Sequence, residues 1–375
     1  MRQQLPENDQ RIQRKINFLQ FFVPDHVYRS LLSESYLSDY TLHFAKSQAQ
    51  TALPAFSCGR QRKEKCVIGR FWLLQNARRR GIIVSVCIIT CKQNGGNPML
   101  MDLHTHTHHS FDGMPQSVAE RIARAEELGL RYMAVTDHVE INRFYPAAYY
   151  GAVETEVWNY DGQRAFEGSL AEVTTEKSGC KSLTLLCGAE IGQMTQCPDL
   201  AAKLYADPRL DLVIGSVHEL PRRPDFYFLD YAGEDIPALI ADYFSEVLRL
   251  AQMDTWDILA HLTYGLRYLP DRAAVDLTPY LPVIDEIFRT VIAKGKAIEL
   301  NGSGLKNSPE YTDPALPLIR RYHDLGGRYL TLSTDAHDTK YLGFRMNELE
   351  DMARAAGFSA LTVFRKHQPE LIPLP

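Results

Sequence analysis

From residue 99 onward, short β-rich runs alternate with amphipathic helical segments, and run after run ends in a histidine or a carboxylate. That phase limits the possible folds more than any other feature, because parallel strands joined by crossover helices bring their C-terminal ends to one face. The strand-like runs are Met99–His104, Tyr132–Thr136, Leu183–Ala189, Leu210–Ser216, Asp257–Ala260, Ala297–Leu300 and Tyr329–Ser333. Between them the periodicity predicts helices at Gln116–Leu128, Arg164–Glu176, Pro237–Gln252, Pro279–Lys294 and Ala315–Leu325. In Pro237–Gln252, for example, Leu239, Ile240, Tyr243, Phe244, Val247 and Leu248 keep an i, i+3, i+4 register, with Asp242, Glu246 and Arg249 between them. Seven βα repeats in ~275 residues fit an α/β barrel of the TIM kind, whose usual length is about 250 residues.

The ends of these runs carry the chemistry. The first leads into His104-Thr105-His106, with Asp112 shortly after; the second into Asp137-His138; the third into Glu190. The fourth leads into His218, the fifth into His261 and the seventh into Asp335-Ala336-His337. His-x-His on a strand places both imidazoles on one face, the geometry that two ligands of one metal ion need. Any one of these residues alone would be an ordinary hydrogen-bonded strand end. Six of the 12 histidines holding this phase, with Glu190 and Asp335 among them, is not the pattern of independent accidents. His108 and His109 continue the first motif and are expected to be local loop residues or to support the ligands. No thiolate joins the set. Imidazole and carboxylate donors suit Zn, Mn or Fe. No Ser or Cys is paired with a His in a motif that would make it a nucleophile, so hydrolysis by water activated on metal ions is the expected chemistry.

Residues 1–98 differ in kind. They carry 15 Lys and Arg against 6 Asp and Glu, whereas residues 99–375 carry 26 against 40. The basic part has a short apolar patch at Ile16–Val23, a basic run at Arg60–Lys65 and Arg78-Arg79-Arg80, but no sustained period from which a fold follows. Residues 1–98 are expected to be an appended or wrongly called extension that contributes nothing to activity, in preference to a basic arm for nucleic acid or another anionic surface, and the turn-rich Lys92–Pro98 marks the boundary with a barrel domain at 99–375. The longest uncharged apolar run, Gly81–Cys91, falls short of the roughly 18 residues that a membrane span requires. The first residues are polar, without the apolar core of a secretory signal, so a cytoplasmic protein is expected. Seven cysteines with no CxxC pair argue against a disulfide framework or a structural zinc finger.

The order HxH with a nearby third ligand, then DH, E, H, H and DxH resembles the metal-binding signature of the PHP (polymerase and histidinol phosphatase) domain family, over essentially all of residues 101–340. The resemblance implies a distorted TIM-like (β/α)7 barrel. It also implies three divalent ions per chain. One would be held by His104, His106, Glu190 and Asp335; a second by His218 and His261 with Glu190 bridging; a third by Asp112, His138 and His337.

Segments His261–Tyr268 and Asn301–Lys306 are similar to those of the histidinol-phosphatase branch, where basic residues bind the substrate phosphate; this implies that role for Arg267 and Lys306. Arg267 is expected to touch substrate and not the ions. Glu219–Phe228, with Arg222 and Arg223, is expected in the pocket wall. The branch implies hydrolysis of L-histidinol phosphate in histidine biosynthesis, with a small phosphorylated substrate and neither nucleic acid nor membrane as partner. Two alternatives stay open: a PHP phosphoesterase for nucleotides, sugar phosphates or nucleic-acid ends, and an inactive PHP binding module. The acidic barrel disfavours a polyanion, and a module without activity would lack ligands. An amidohydrolase also starts from HxH, but its fourth strand commonly ends in a bridging lysine where this chain has His218.

Overall fold

The strand Thr184–Gly192 is buried from its second residue to its last, as a parallel strand covered on both faces must be. It lies in the middle of the sheet that organises the second of two units into which the chain divides, Met1–Gly96 and Asn97–Pro375. A computed structural model describes residues 66–74, 83–91, 101–141, 162–306 and 312–375.

In the first unit, β1 (Cys66–Leu74) and β2 (Ile83–Cys91) pair antiparallel, Cys66 opposite Cys91. The sequence reading assigned no strands there. The run Ile83–Cys91 is rich in β-branched residues, which favour a pleated strand without any helical period. Ile16–Val23, Arg60–Lys65 and Arg78-Arg79-Arg80 lie outside the described residues.

In the second unit the strands are β3 (Met101–Asp102), β4 (Tyr132–Val135), β5 (His138–Glu140), β6 (Thr184–Gly192), β7 (Leu212–Ser216), β8 (Ile258–Leu259), β9 (Ala297–Asn301) and β10 (Leu330–Ser333). Seven of them run parallel in the order β3-β4-β6-β7-β8-β9-β10. The short β5 continues β4 along the edge of β6, pairing His138 with Glu190. The ends of the sheet come together: Leu103 N–H donates to the Leu332 carbonyl at 3.1 Å, and Thr105 bridges to Ala336. The result is a nearly closed, TIM-like parallel barrel, as expected.

Helices α1 (Val118–Leu128), α2 (Gly162–Glu176), α3 (Pro198–Tyr205), α4 (Ile236–Gln252), α5 (Leu281–Ala293), α6 (Leu316–Asp324) and α7 (Met346–Ala355) supply the outer layer. Helix α1 starts on a capping box, with Ser117 accepting from the Glu120 N–H while the Glu120 carboxylate accepts from the Ser117 N–H. It stops at Gly129, whose φ of 74° is the left-handed conformation a helix end favours. The apolar face read from the sequence in α4 is the buried one, with Leu239, Ile240, Tyr243, Phe244 and Val247 in the core. The expected strands and helices all occur, with ends shifted by a few residues. Helices α3 and α7 and the C-terminal hairpin of β11 (Ala360–Arg365) and β12 (Gln368–Pro373) were not anticipated. Among the described residues, no helix is long and apolar enough to cross a membrane.

Candidate metal centre

The C-terminal ends of the barrel strands place their imidazoles around one fully buried carboxylate, Glu190. Its Oε1 lies 3.1 Å from Nε2 of His218 and 3.1 Å from Nε2 of His261. Its Oε2 lies 3.1 Å from Nε2 of His104, 3.7 Å from Nε2 of His106 and 2.8 Å from Nδ1 of His138. Asp335 faces the same group from β10's end, its Oδ1 3.2 Å from Nε2 of His106 and 3.9 Å from Nε2 of His104. At the rim, Asp112 lies 3.6 Å from Nε2 of His138 and 3.2 Å from Nε2 of His337. All nine residues expected as ligands are therefore brought together, with Asp112 on the solvent side. The groupings overlap more than the sequence reading allowed, since His106 joins His138 and His337 as well as His104 and Asp335.

Four of the six imidazoles are aimed by what their Nδ1 touches. Nδ1 of His104 sits 2.8 Å from Oε1 of Glu299, Nδ1 of His218 is 2.8 Å from Oε1 of Glu140, and Nδ1 of His106 is 3.1 Å from the Ser110 hydroxyl. Nδ1 of His337 is 3.0 Å from the Asp335 carbonyl. Asp335 itself has a φ of 54°, left-handed backbone that is uncommon outside glycine. Asp137, whose carboxylate accepts from Thr107, Ser110 and Ser169, ties the loop after His106 to α2.

Glu140 and Glu299 were missed in the sequence. Glu140 stands two residues after His138 on one strand and so shares its face, and Glu299 is an acid inside the otherwise uncharged strand β9. A search for acids inside apolar runs, and not only at their ends, would have found Glu299; Glu140 closes its strand, and its signal is the two-residue spacing from His138. Gly192 makes room for Glu140: a Cβ there would lie 2.1 Å from its carboxylate oxygen.

The electrostatics follow from this crowding. Burial pushes Glu190 up, but His104, His138 and His218 outweigh it and hold the carboxyl well below the usual glutamate range. Burial pulls His106 down to about 3, helped by the neighbouring His337 and His138. His138 goes the other way, to about 9, because Glu190 and Asp112 overcome its burial. Nε2 of His218 faces Nε2 of His261 at 3.3 Å, and Nε2 of His138 faces Nε2 of His337 at 3.3 Å. Nε2 of His104, Nε2 of His106 and Oε2 of Glu190 are buried without a well-aligned hydrogen bond. Ring nitrogens turned on one another around carboxylates call for positive charge between them, and a donor set of imidazole and carboxylate is suited to divalent transition metals. These residues fit a metal cluster.

The two basic residues expected for substrate lie at different distances from this centre. Arg267 is half-buried, its guanidinium 3.3 Å from Oδ2 of Asp313, 3.5 Å from Oδ2 of Asp335 and 4.9 Å from the Tyr264 ring centroid. Arg267 thus also reaches Asp335, one of the residues expected as ligands, and its side chain lies against the proposed metal centre. Lys306 is exposed, its Nζ 4.2 Å from the Tyr341 ring centroid. In the segment after His218, Arg223 is paired with Glu234, while Asp225 accepts from the Tyr264 hydroxyl at 2.9 Å.

A family profile described as "PHP domain" matches residues 102–303. Among curated proteins, the chain is 25% identical over 257 residues to a probable histidinol-phosphatase of Clostridium acetobutylicum, covering 68% of this chain and 93% of that one. It is 24% identical over 274 residues to the histidinol-phosphatase of Lactococcus lactis, covering 70% and 94%. Among solved structures, a crystal structure of histidinol phosphate phosphatase from Lactococcus lactis, complexed with Zn, L-histidinol and phosphate, superposes with a TM-score of 0.58 at 22% identity, over 72% of this chain and 99% of that one.

Proposed function

The chain belongs to the PHP domain family, and from that premise we propose that this phosphoric monoester hydrolase converts L-histidinol phosphate to L-histidinol and phosphate. The observation that carries the reading is the convergence of imidazoles from four strand ends, at His104, His138, His218 and His261, on the single buried carboxylate of Glu190. The histidinol-phosphatases to which the chain is similar over nearly their whole length support the choice of substrate.

Three ions would be held by His104, His106, Glu190 and Asp335; by His218, His261 and the bridging Glu190; and by Asp112, His138 and His337. Divalent zinc, manganese or iron there would supply Lewis acidity, bringing the pKa of water towards about 7 and neutralising phosphoryl charge during in-line displacement. The chain's own residues do the rest. Glu299, Glu140 and Ser110 hold the imidazoles in the tautomer that directs Nε2 inward. Arg267 is oriented in advance by Asp313 and Asp335, so its fork meets a phosphate with little loss of freedom. Lys306 offers a second positive charge. Beside Arg267, the rings of Tyr264 and Tyr268 pack edge to face at 5.5 Å, and Tyr227 packs on Tyr268 at 5.3 Å. An aromatic wall of this kind suits a flat imidazole.

The test is a substrate panel. Protein stripped by chelation and reloaded separately with Zn, Mn and Fe is assayed on L-histidinol phosphate, sugar phosphates, nucleotides and a single-stranded DNA end. The reading expects kcat/KM for histidinol phosphate to lead by roughly 100-fold, about 2.7 kcal/mol of transition-state discrimination. Preference for a nucleotide or sugar phosphate would move the chain to another branch of the family.

A further inference from the structure

Outside the centre, a second group of metal-type donors joins the loop after β3 to helix α2. Nε2 of His109 lies 2.7 Å from Oε2 of Glu172, and Nε2 of His108 lies 3.5 Å from the same oxygen. The two rings are 4.1 Å apart, centroid to centroid. The three ligand atoms all fall within 4.8 Å of one another. None of these residues belongs to the nine assigned to the phosphatase centre.

Three features show that the group is built. Oε1 of Glu172 accepts the Val118 N–H at 2.9 Å, at the start of α1, which fixes the carboxylate and presents Oε2 to the histidines. Nδ1 of His108 is 3.3 Å from the Gln116 carbonyl oxygen. A carbonyl only accepts, so this contact is served by a hydrogen on Nδ1, and a ring held that way presents Nε2 to the Glu172 carboxylate. An Nδ1–H held by a backbone carbonyl is also how metal-ligating imidazoles are oriented. Lastly, Gly168 stands one helical turn before Glu172, and a Cβ there would lie 2.8 Å from Cε1 of His109. Glycine within a helix costs stability relative to alanine; here it leaves the space in which the imidazole sits.

We propose that His108, His109 and Glu172 form an accessory site for a zinc-class divalent cation, separate from the phosphatase centre. Two imidazoles and one carboxylate are a known zinc donor set that leaves a position open for water. The side chains are 40%, 18% and 24% exposed, so an ion has a route in and a solvent side to hold that water. A plain hydrogen bond from His109 to Glu172 would tie loop to helix, but it gives no reason for His108 to be aimed at the same oxygen. A bound ion cross-links the loop that follows His106 to α2, and through Glu172 to the start of α1.

The test counts metal on the full chain. Protein stripped of metal is dialysed against graded Zn2+, and wild type, His108→Ala and Glu172→Gln are compared for bound zinc, thermal midpoint and hydrolysis of p-nitrophenyl phosphate. Glutamine keeps an acceptor for the Val118 N–H, and His108 is exposed, so neither change threatens folding. The expected result is one zinc fewer per chain in each variant, with phosphatase activity retained. Wild type should also gain thermal stability as the last equivalent binds, and the variants should not. Because loss of an outer partner alone weakens a metal site about 10–100-fold, loss of a direct ligand should weaken the last equivalent by at least about tenfold. Equal zinc in wild type and both variants overturns the site. So does a lost ion that takes the activity with it, since His108 and Glu172 would then belong to the phosphatase centre.

Discussion

Nδ1 of His104 lies 2.8 Å from Oε1 of Glu299, with both side chains sealed from solvent at the heart of the barrel. The other oxygen of Glu299 accepts the backbone N–H of His261 at 2.8 Å. One carboxylate thus sets the direction of one proposed ligand and the backbone position of another.

Glu299→Ala is therefore expected to lower metal affinity and kcat by roughly 10–100-fold, the usual cost of losing an orienting partner. Glu299→Gln keeps one acceptor oxygen, enough for Nδ1 of His104 but not also for the His261 N–H, so it should retain part of both. Metal titration alongside steady-state kinetics would check this, and equal loss in the two variants would mean that a single acceptor does not suffice to hold both groups.

Glu190→Gln should be more severe, because Glu190 meets His104, His106, His138, His218 and His261. Removing its charge would leave the proposed cations repelling one another. We expect activity to fall below detection and bound metal to drop from about three ions per chain. Elemental analysis finding one ion or fewer in fully active wild type would defeat the three-ion reading.

Arg267→Ala should raise KM, since a phosphate loses its fork. The contact with Asp335 adds a second expected consequence: freed of its guanidinium, Asp335 should hold a proposed metal ion differently, so kcat should also fall. Arg267→Lys should recover part of the charge but not the bidentate geometry. Unchanged kinetics in Arg267→Ala would return it to a structural ion pair.

Gly192→Ala is predicted to destabilise the protein by about 1–3 kcal/mol, the range for overfilled cores. The added methyl meets the Glu140 carboxylate, which must move away from His218, so metal affinity should fall with stability. Thermal unfolding and metal counting on the same preparations would expose a variant that loses stability alone.

A chain beginning at Met99 or Met101 is expected to fold and keep its phosphatase activity, because each of the nine proposed ligands and each strand of the parallel sheet lies within Asn97–Pro375. Loss of most of kcat in the shortened protein, with the full-length chain active beside it, would assign residues 1–98 a part in catalysis.

The residues His104, His106, His138, Glu190, His218, His261, Asp335 and His337 were legible as a group in the sequence, because strand ends repeat a phase and parallel topology brings those ends to one place; Asp112, in the loop beyond His106, was implied by the family resemblance. The parallel α/β class was equally legible, from runs such as Leu183–Ala189 whose burial on both faces demands unbroken apolar sequence. What sequence could not decide is which side chain faces which atom. The pairing of Glu299 with His104 spans 195 residues and that of Glu140 with His218 spans 78, so no local period records either. The contact of Arg267 with Asp335 and the aim of His108 at Glu172 likewise depend on how two distant backbones cross. Local chemistry marks a residue as able to bind a metal; only the packing of the barrel sets its tautomer, its charge and its neighbours, because those are fixed by atoms that the chain brings together last.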